Sequence, residues 1–157
     1  MLFRSLPLPL PGFDHHLSSW LLRDFRRERN VLVDTGPSAA VPFLERSLRA
    51  LGAGRIDLVL LTHIHADHAG GIGSFLRRFS GAKVLAPEKG RRHLVHPAKL
   101  AEGTSATLGR EMADAFGPIL PLSEESLIDS SSPLLEGLTV LETPDRKSTR
   151  LNSSHDQ

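Results

Sequence analysis

The sequence predicts a layered α/β protein, of the α+β kind because it begins with an antiparallel hairpin. Short apolar runs of strand length alternate with amphipathic helical stretches. The charged segment Asp24 to Arg29 separates two of those runs near the N-terminus. A third run ends in a cluster of histidines just before a helical pattern resumes.

The hairpin strands are read from His16 to Arg23 and from Asn30 to Thr35, with the charged residues between them as the turn. From Ala40 to Leu51 the apolar residues Val41, Leu44, Leu48 and Leu51 recur at helical spacing, with Glu45, Arg46 and Arg49 between them. Pro42 is tolerated in the first turn of such a helix, and Gly52 suits its C-terminal cap. Ile56 to Leu61 reads as a buried strand, Ala69 to Phe79 as a helix and Lys83 to Ala86 as a short strand. Lys99 to Phe116 has a weaker helical pattern interrupted by Gly103 and Gly109, and Leu134 to Glu142 alternates as a late strand would.

Composition narrows the function. The chain of 157 residues is 39% apolar and 24% charged, which suits one globular domain with a real core. No apolar run approaches the ~18 residues that cross a bilayer, and the proline-broken N-terminus does not read as a signal peptide, so a cytoplasmic protein with no membrane partner is expected. The net charge of +1 gives no footprint for nucleic acid. The absence of cysteine excludes disulfides, thiolate nucleophiles and zinc-thiolate sites together, so any metal must be held by His and carboxylates.

Those residue types are concentrated in one run, Thr62-His63-Ile64-His65-Ala66-Asp67-His68. Two histidines at i and i+2 at a strand end share one side, so His63 and His65 suit one metal position. Asp67 and His68 follow where the chain turns and suit a second position. Ala69-Gly70-Gly71 permits close backbone approach as a helix begins, and a carboxylate at Asp67 suits that helix start. Four donors within six residues are too many for a loop that merely caps a helix. By contrast, His15 and His16, and His93 and His96 beside Arg91 and Arg92, read first as solvated residues.

The run H-x-H-x-D-H after an apolar strand resembles the signature of the metallo-β-lactamase (MBL) superfamily, matched here by His63, His65, Asp67 and His68. Asn30-Val-Leu-Val-Asp34-Thr35-Gly36 resembles that family's early strand, whose Asp supports the metal loop from beneath; the resemblance gives Asp34 that supporting role. The segments Leu10 to His15 and His96 to Leu100 are similar to those of a little-characterised group of hydrolases within the superfamily. The resemblance implies a four-layer αββα sandwich holding two zinc ions, with iron or manganese as other occupants of such a donor set. It implies a hydrolase of small-molecule esters, thioesters, lactones or phosphoesters working through zinc-bound water, with Asp67 as the catalytic group that orients or deprotonates it. Two His and a carboxylate also suit iron-based oxygen chemistry, so an iron-dependent, persulfide-dioxygenase-like oxidoreductase is the alternative enzyme.

The pattern departs from the family after Thr143-Pro144, where the resemblance calls for Gly-His and later for further ligands. Asp145 to His155 instead resembles the in-frame translation of a sequencing adapter. Residues 1–144 are therefore expected to be an MBL domain incomplete at its C-terminus, and 145–157 an artefactual or disordered tail. On that reading the chain as written is an inactive, truncated module of an active parent. Neither the substrate nor the oligomeric state is written in the sequence.

Overall fold

The computed structural model describes residues 1–10 and 13–141, with residues 13–16 described by their backbone alone. Five strands form one mixed sheet in the order β1 (Leu2–Leu10), β2 (Phe13–Asp24), β3 (Arg29–Val33), β4 (Leu58–Leu60) and β5 (Lys83–Leu85). The first three pair antiparallel, and β3, β4 and β5 run parallel. The hairpin expected between Asp24 and Arg29 is present. Asp24 Oδ1 accepts the backbone N–H groups of Arg26 and Arg27 at 3.1 and 3.4 Å, which turns the chain back on itself.

Strand β1 was not foreseen, because Pro7 and Pro9 argue against a strand. It lies at the sheet edge, where a residue without an N–H breaks no ladder on its outer side.

The register sorts apolar side chains to two faces. Leu32 pairs with Val59, and Val59 with Val84; all three join one cluster with Val41, Leu44 and Leu48 of α1 (Val41–Ala50) and with Ile72 and Phe75 of α3 (Ile72–Leu76). Their neighbours Val31 and Leu58 point the other way and pack with Leu135, Ile128 and Leu138. One face of the sheet is thus covered by helices and the other by the segment around residues 128–138.

Two expected helices are each split by glycine. The stretch expected from Ala69 to Phe79 forms α2 (Ala66–Ala69) and α3, with Gly70 and Gly71 between them. A Cβ on Gly71 would stand 2.8 Å from both the Gly36 carbonyl oxygen and Val41 Cγ2, so the backbone approaches too closely there for any side chain. The stretch expected from Lys99 to Phe116 forms α5 (Ala98–Leu108) and α6 (Arg110–Phe116), broken at Gly109 with φ +83°. Before α5 lies α4 (Arg91–Val95), which buries Leu94 in the helix-side cluster.

The expected late strand from Leu134 to Glu142 is a correction. Pro133–Leu135 forms a 3-10 turn, and no strand follows through Leu141; residue 142 lies outside the described residues, as does the adapter-like run after it. The physical reason is that this segment serves as an apolar plug held from below. Buried Arg29 donates to the Leu134 carbonyl and, at 2.9 Å, to the Glu136 carbonyl, which uses backbone acceptors that a strand would need for pairing.

Replacing Arg29 with Ala is expected to lower unfolding free energy by about 2 kcal/mol, the scale of losing charge-assisted hydrogen bonds to buried carbonyls. Amide exchange at Leu135 and Leu138 should accelerate with it. A chemical denaturation midpoint equal to wild type would show that the plug is not held by Arg29.

Candidate metal centre

Parallel pairing aligns Val33 with Leu60, so the residues that follow β3 and β4 leave the sheet side by side. Asp34 is therefore next to the start of the histidine loop. Its backbone has φ +56°, unusual for a residue with a side chain, and is held there from both sides: its N–H donates to the Leu60 carbonyl at 2.9 Å, and its carbonyl accepts the Ser19 hydroxyl at 2.6 Å.

That twist turns the Asp34 carboxylate, 4% exposed, under the loop. Oδ1 accepts the Thr62 backbone N–H at 2.8 Å, and Oδ2 accepts both the Thr62 hydroxyl and His68 Nδ1–H, each at 2.8 Å. These bonds also fix the tautomers. A carboxylate only accepts, so the His68 proton is on Nδ1 and its Nε2 carries a lone pair. The Thr62 hydroxyl, having given its proton to Asp34, accepts from His63 Nδ1 at 3.0 Å, which leaves Nε2 of His63 as that ring's lone-pair nitrogen.

The loop is also fastened through its backbone. The N–H groups of Thr35 and Gly36 donate to the His68 carbonyl at 2.8 and 3.0 Å, and Gly71 N–H donates to the Gly36 carbonyl at 2.8 Å. Ser38 Oγ lies 2.6 Å from the Pro118 carbonyl, to which it donates, and 3.0 Å from the Ser74 hydroxyl.

Above these supports, one donor atom each from His63, Asp67 and His68 gather within 4.8 Å of one another. His68 Nε2 stands 3.5 Å from Asp67 Oδ2. Donors bonded tetrahedrally at ~2.1 Å lie about 3.4 Å apart, so that separation fits a shared transition-metal ion. The donor set, imidazole and carboxylate without sulfur, suits zinc, iron and manganese alike.

The grouping crosses the division expected from sequence, in which His63 went with His65. Strand β4 ends at Leu60, so these two histidines lie on irregular backbone beyond it rather than alternating along a strand. His65 is exposed and outside the triple, but its ring stands 4.7 Å from that of His63, edge-on; the rings of His63 and His68 are 4.1 Å apart. The side chains of His15 and His16 lie outside the described residues. His93 accepts from Arg92, and His96, at the C-terminal end of α4, is exposed.

The electrostatics separate His63 from His68. Burial holds His63 below the ordinary imidazole range, reinforced by the neighbouring imidazoles of His68 and His65. The hydrogen bond to Asp34 lifts His68 above that range, partly offset by burial. Sequence reasoning singled out Asp34 and the histidines but missed the bridging hydroxyl of Thr62 and the fastening by Ser19 and Ser38. Of these only Thr62, adjoining His63, carried a positional signal.

A match to the metallo-beta-lactamase superfamily extends over residues 14–145, most of the chain. The chain belongs to that superfamily. Over 100 residues it is 37% identical to a hydroxyacylglutathione hydrolase of Serratia proteamaculans, covering 60% of this chain and 37% of that enzyme. It is 35% identical over 103 residues to the hydroxyacylglutathione hydrolase of Bdellovibrio bacteriovorus, covering 64% and 38% respectively. The chain thus spans little more than a third of the length of these relatives. In fold it is similar to an archaeal MBL superfamily protein of Sulfolobus tokodaii, with a TM-score of 0.64 at 23% identity, covering 81% of this chain and 47% of that one. The helix layer and mixed sheet described above are therefore part of the superfamily's layered α/β fold. No helix among the described residues is long and apolar enough to cross a membrane.

Asp34→Asn is expected to return His68 toward the ordinary imidazole range, because the amide removes the charge that favours the imidazolium. Histidine side-chain NMR titration in the presence of chelator reads this directly. An unmoved His68 titration would mean that the 2.8 Å contact does not set its protonation.

Proposed function

We propose that the protein carrying this chain is a metal-dependent hydrolase of small-molecule thioesters or related esters, with His63, His65, Asp67 and His68 as metal ligands. The observation that supports it most is the convergence of His63, Asp67 and His68 within 4.8 Å, over a carboxylate that holds His68 at 2.8 Å. Two zinc ions are the proposed occupants, His65 completing the set through its place beside His63. The thioester assignment draws on the names of the relatives, hydroxyacylglutathione hydrolases; a cytoplasmic location is part of the same proposal.

A bound zinc ion lowers the pKa of water toward neutrality and polarises the substrate carbonyl. The chain's own residues do the rest. Asp67 would orient the attacking water and accept its proton on a carboxylate oxygen as the water oxygen bonds to the carbonyl carbon; the carbon–sulfur bond then breaks and the departing thiolate takes that proton to leave as the thiol. Asp34 keeps His68 in the tautomer whose Nε2 can serve as a ligand, and Thr62 does the same for His63. Because Asp34 is buried and fully engaged, it acts through these two residues rather than on substrate.

The test is made on the full-length protein. It should purify with close to two transition-metal ions and hydrolyse at least one member of a panel of thioesters, lactones, phosphodiesters and a β-lactam. His63→Ala or His65→Ala should lose metal and activity together. Asp67→Asn should lose activity by roughly 10²-fold or more even where metal remains. Asp34→Ala should weaken metal affinity by about 10 to 100-fold. Hydrolysis that survives both chelation and His63→Ala would sink the metal mechanism.

A further inference from the structure

The Asp34 carboxylate grips the histidine loop at its two ends, Thr62 and His68. The middle is held differently. Among the described residues no hydrogen bond engages the backbone of His63 or Ile64. The side chain of Ile64, which separates His63 from His65, packs instead against the helix-side cluster. There it abuts Gly90, which is buried where the 3-10 turn Glu88–Gly90 passes into α4.

The contact leaves no room for a side chain on Gly90. A Cβ there would stand 2.3 Å from Ile64 Cγ2, well inside contact distance. Cγ2 is carried directly on a branched Cβ, and such side chains are stiff about χ1, so it cannot swing clear alone. The glycine side cannot retreat either. Gly90 N–H donates to the Pro87 carbonyl at 2.8 Å, Arg91 donates to the Ile128 carbonyl at 2.8 Å, and Leu94 of α4 is buried in the core. Of the two surfaces the loop is the less tied, so an added methyl would displace Ile64 and with it the imidazoles on either side, whose rings stand 4.7 Å apart. A close-packed interior transmits such a displacement rather than absorbing it.

We propose that Gly90 is a positioning residue for the proposed metal ligands: its bare backbone is the seat of Ile64, and thereby fixes where His63 and His65 stand relative to each other. The proposal rests on the metal-ligand reading above. It gives the loop two independent supports, a polar one from the end of β3 beneath its ends and an apolar one from the start of α4 against its middle. Gly90 acts through Ile64, and not on metal or substrate.

Two readouts on the full-length protein test it, one of them without metal. In chelator, the ring Cε1–H NMR signals of His63 and His65 should shift in Gly90→Ala. They should not shift when the same substitution is added to Ile64→Ala, since the Cβ of residue 64 would lie 3.4 Å from the new one, an ordinary contact. Titrated with cobalt(II), Gly90→Ala should bind about 10 to 100-fold more weakly than wild type, with an altered visible absorption band. In the Ile64→Ala background it should change the affinity by less than about twofold. Gly103→Ala, on α5 where an added Cβ meets nothing within 4 Å, should leave both readouts at wild type. If Gly90→Ala does not fold, Gly90→Ala/Ile64→Ala should, and its failure to fold as well would overturn the proposal. Unmoved ring signals or a wild-type cobalt affinity in Gly90→Ala would also overturn it, as would an equal loss with and without the Ile64 side chain. Wild-type protein that takes up no cobalt would count against the metal-ligand reading, while the ring signals would still decide whether Gly90 seats Ile64.

Discussion

The Asp34 carboxylate is the group on which the rest of the site depends. A buried charge is costly unless donors surround it, and here the Thr62 amide, the Thr62 hydroxyl and the His68 ring supply them. The dependence runs both ways. The loop from Thr62 to His68 is held because the carboxylate needs those donors, and the carboxylate is tolerated because the loop is there. Its backbone strain is contained in the same way, by the sheet on one side and the Ser19 hydroxyl on the other.

This coupling follows from topology. The antiparallel hairpin brings β3 into the middle of the sheet, and parallel pairing with β4 makes both strands end at the same level. A support residue after one strand and a ligand loop after the other are then neighbours although some thirty residues separate them. The His63, Asp67 and His68 cluster thus lies beyond the carboxyl ends of parallel strands, where open α/β sheets commonly place their sites.

Much of this was legible in the sequence because it rests on local pattern. Leu44 and Leu48 recur at helical spacing, the apolar runs of β2 and β3 flank a charged turn, and the histidine run is dense enough to stand alone as a signal. What was not legible depends on tertiary position. Pro7 and Pro9 look like strand breakers until β1 is known to be an edge. Gly71 looks like a helix residue until Gly36 and Val41 are found packed against it. The run from Leu134 to Glu142 suggests a strand, but Arg29 takes the backbone carbonyls of Leu134 and Glu136. The approach of His63 to Asp67 and His68 within 4.8 Å likewise depends on how irregular backbone folds after Leu60. Ser19 and Ser38 gave no signal, because a hydroxyl aimed at a distant carbonyl has no sequence pattern.

The two margins of the sheet differ in how they meet the same hazard. An open strand invites another chain to add to it, which is a route to fibrils and domain swapping. On the β5 side the chain closes its own margin: Val84 bridges Leu127, and the Ile128 N–H donates to the Val84 carbonyl at 2.9 Å. On the β1 side no such cover is needed over Pro7 and Pro9, since an incoming strand finds no N–H there to accept from. The prolines that obscured β1 as a strand therefore protect it as a border, and a proline-free version of Leu6–Leu10 would offer a stickier template for self-association.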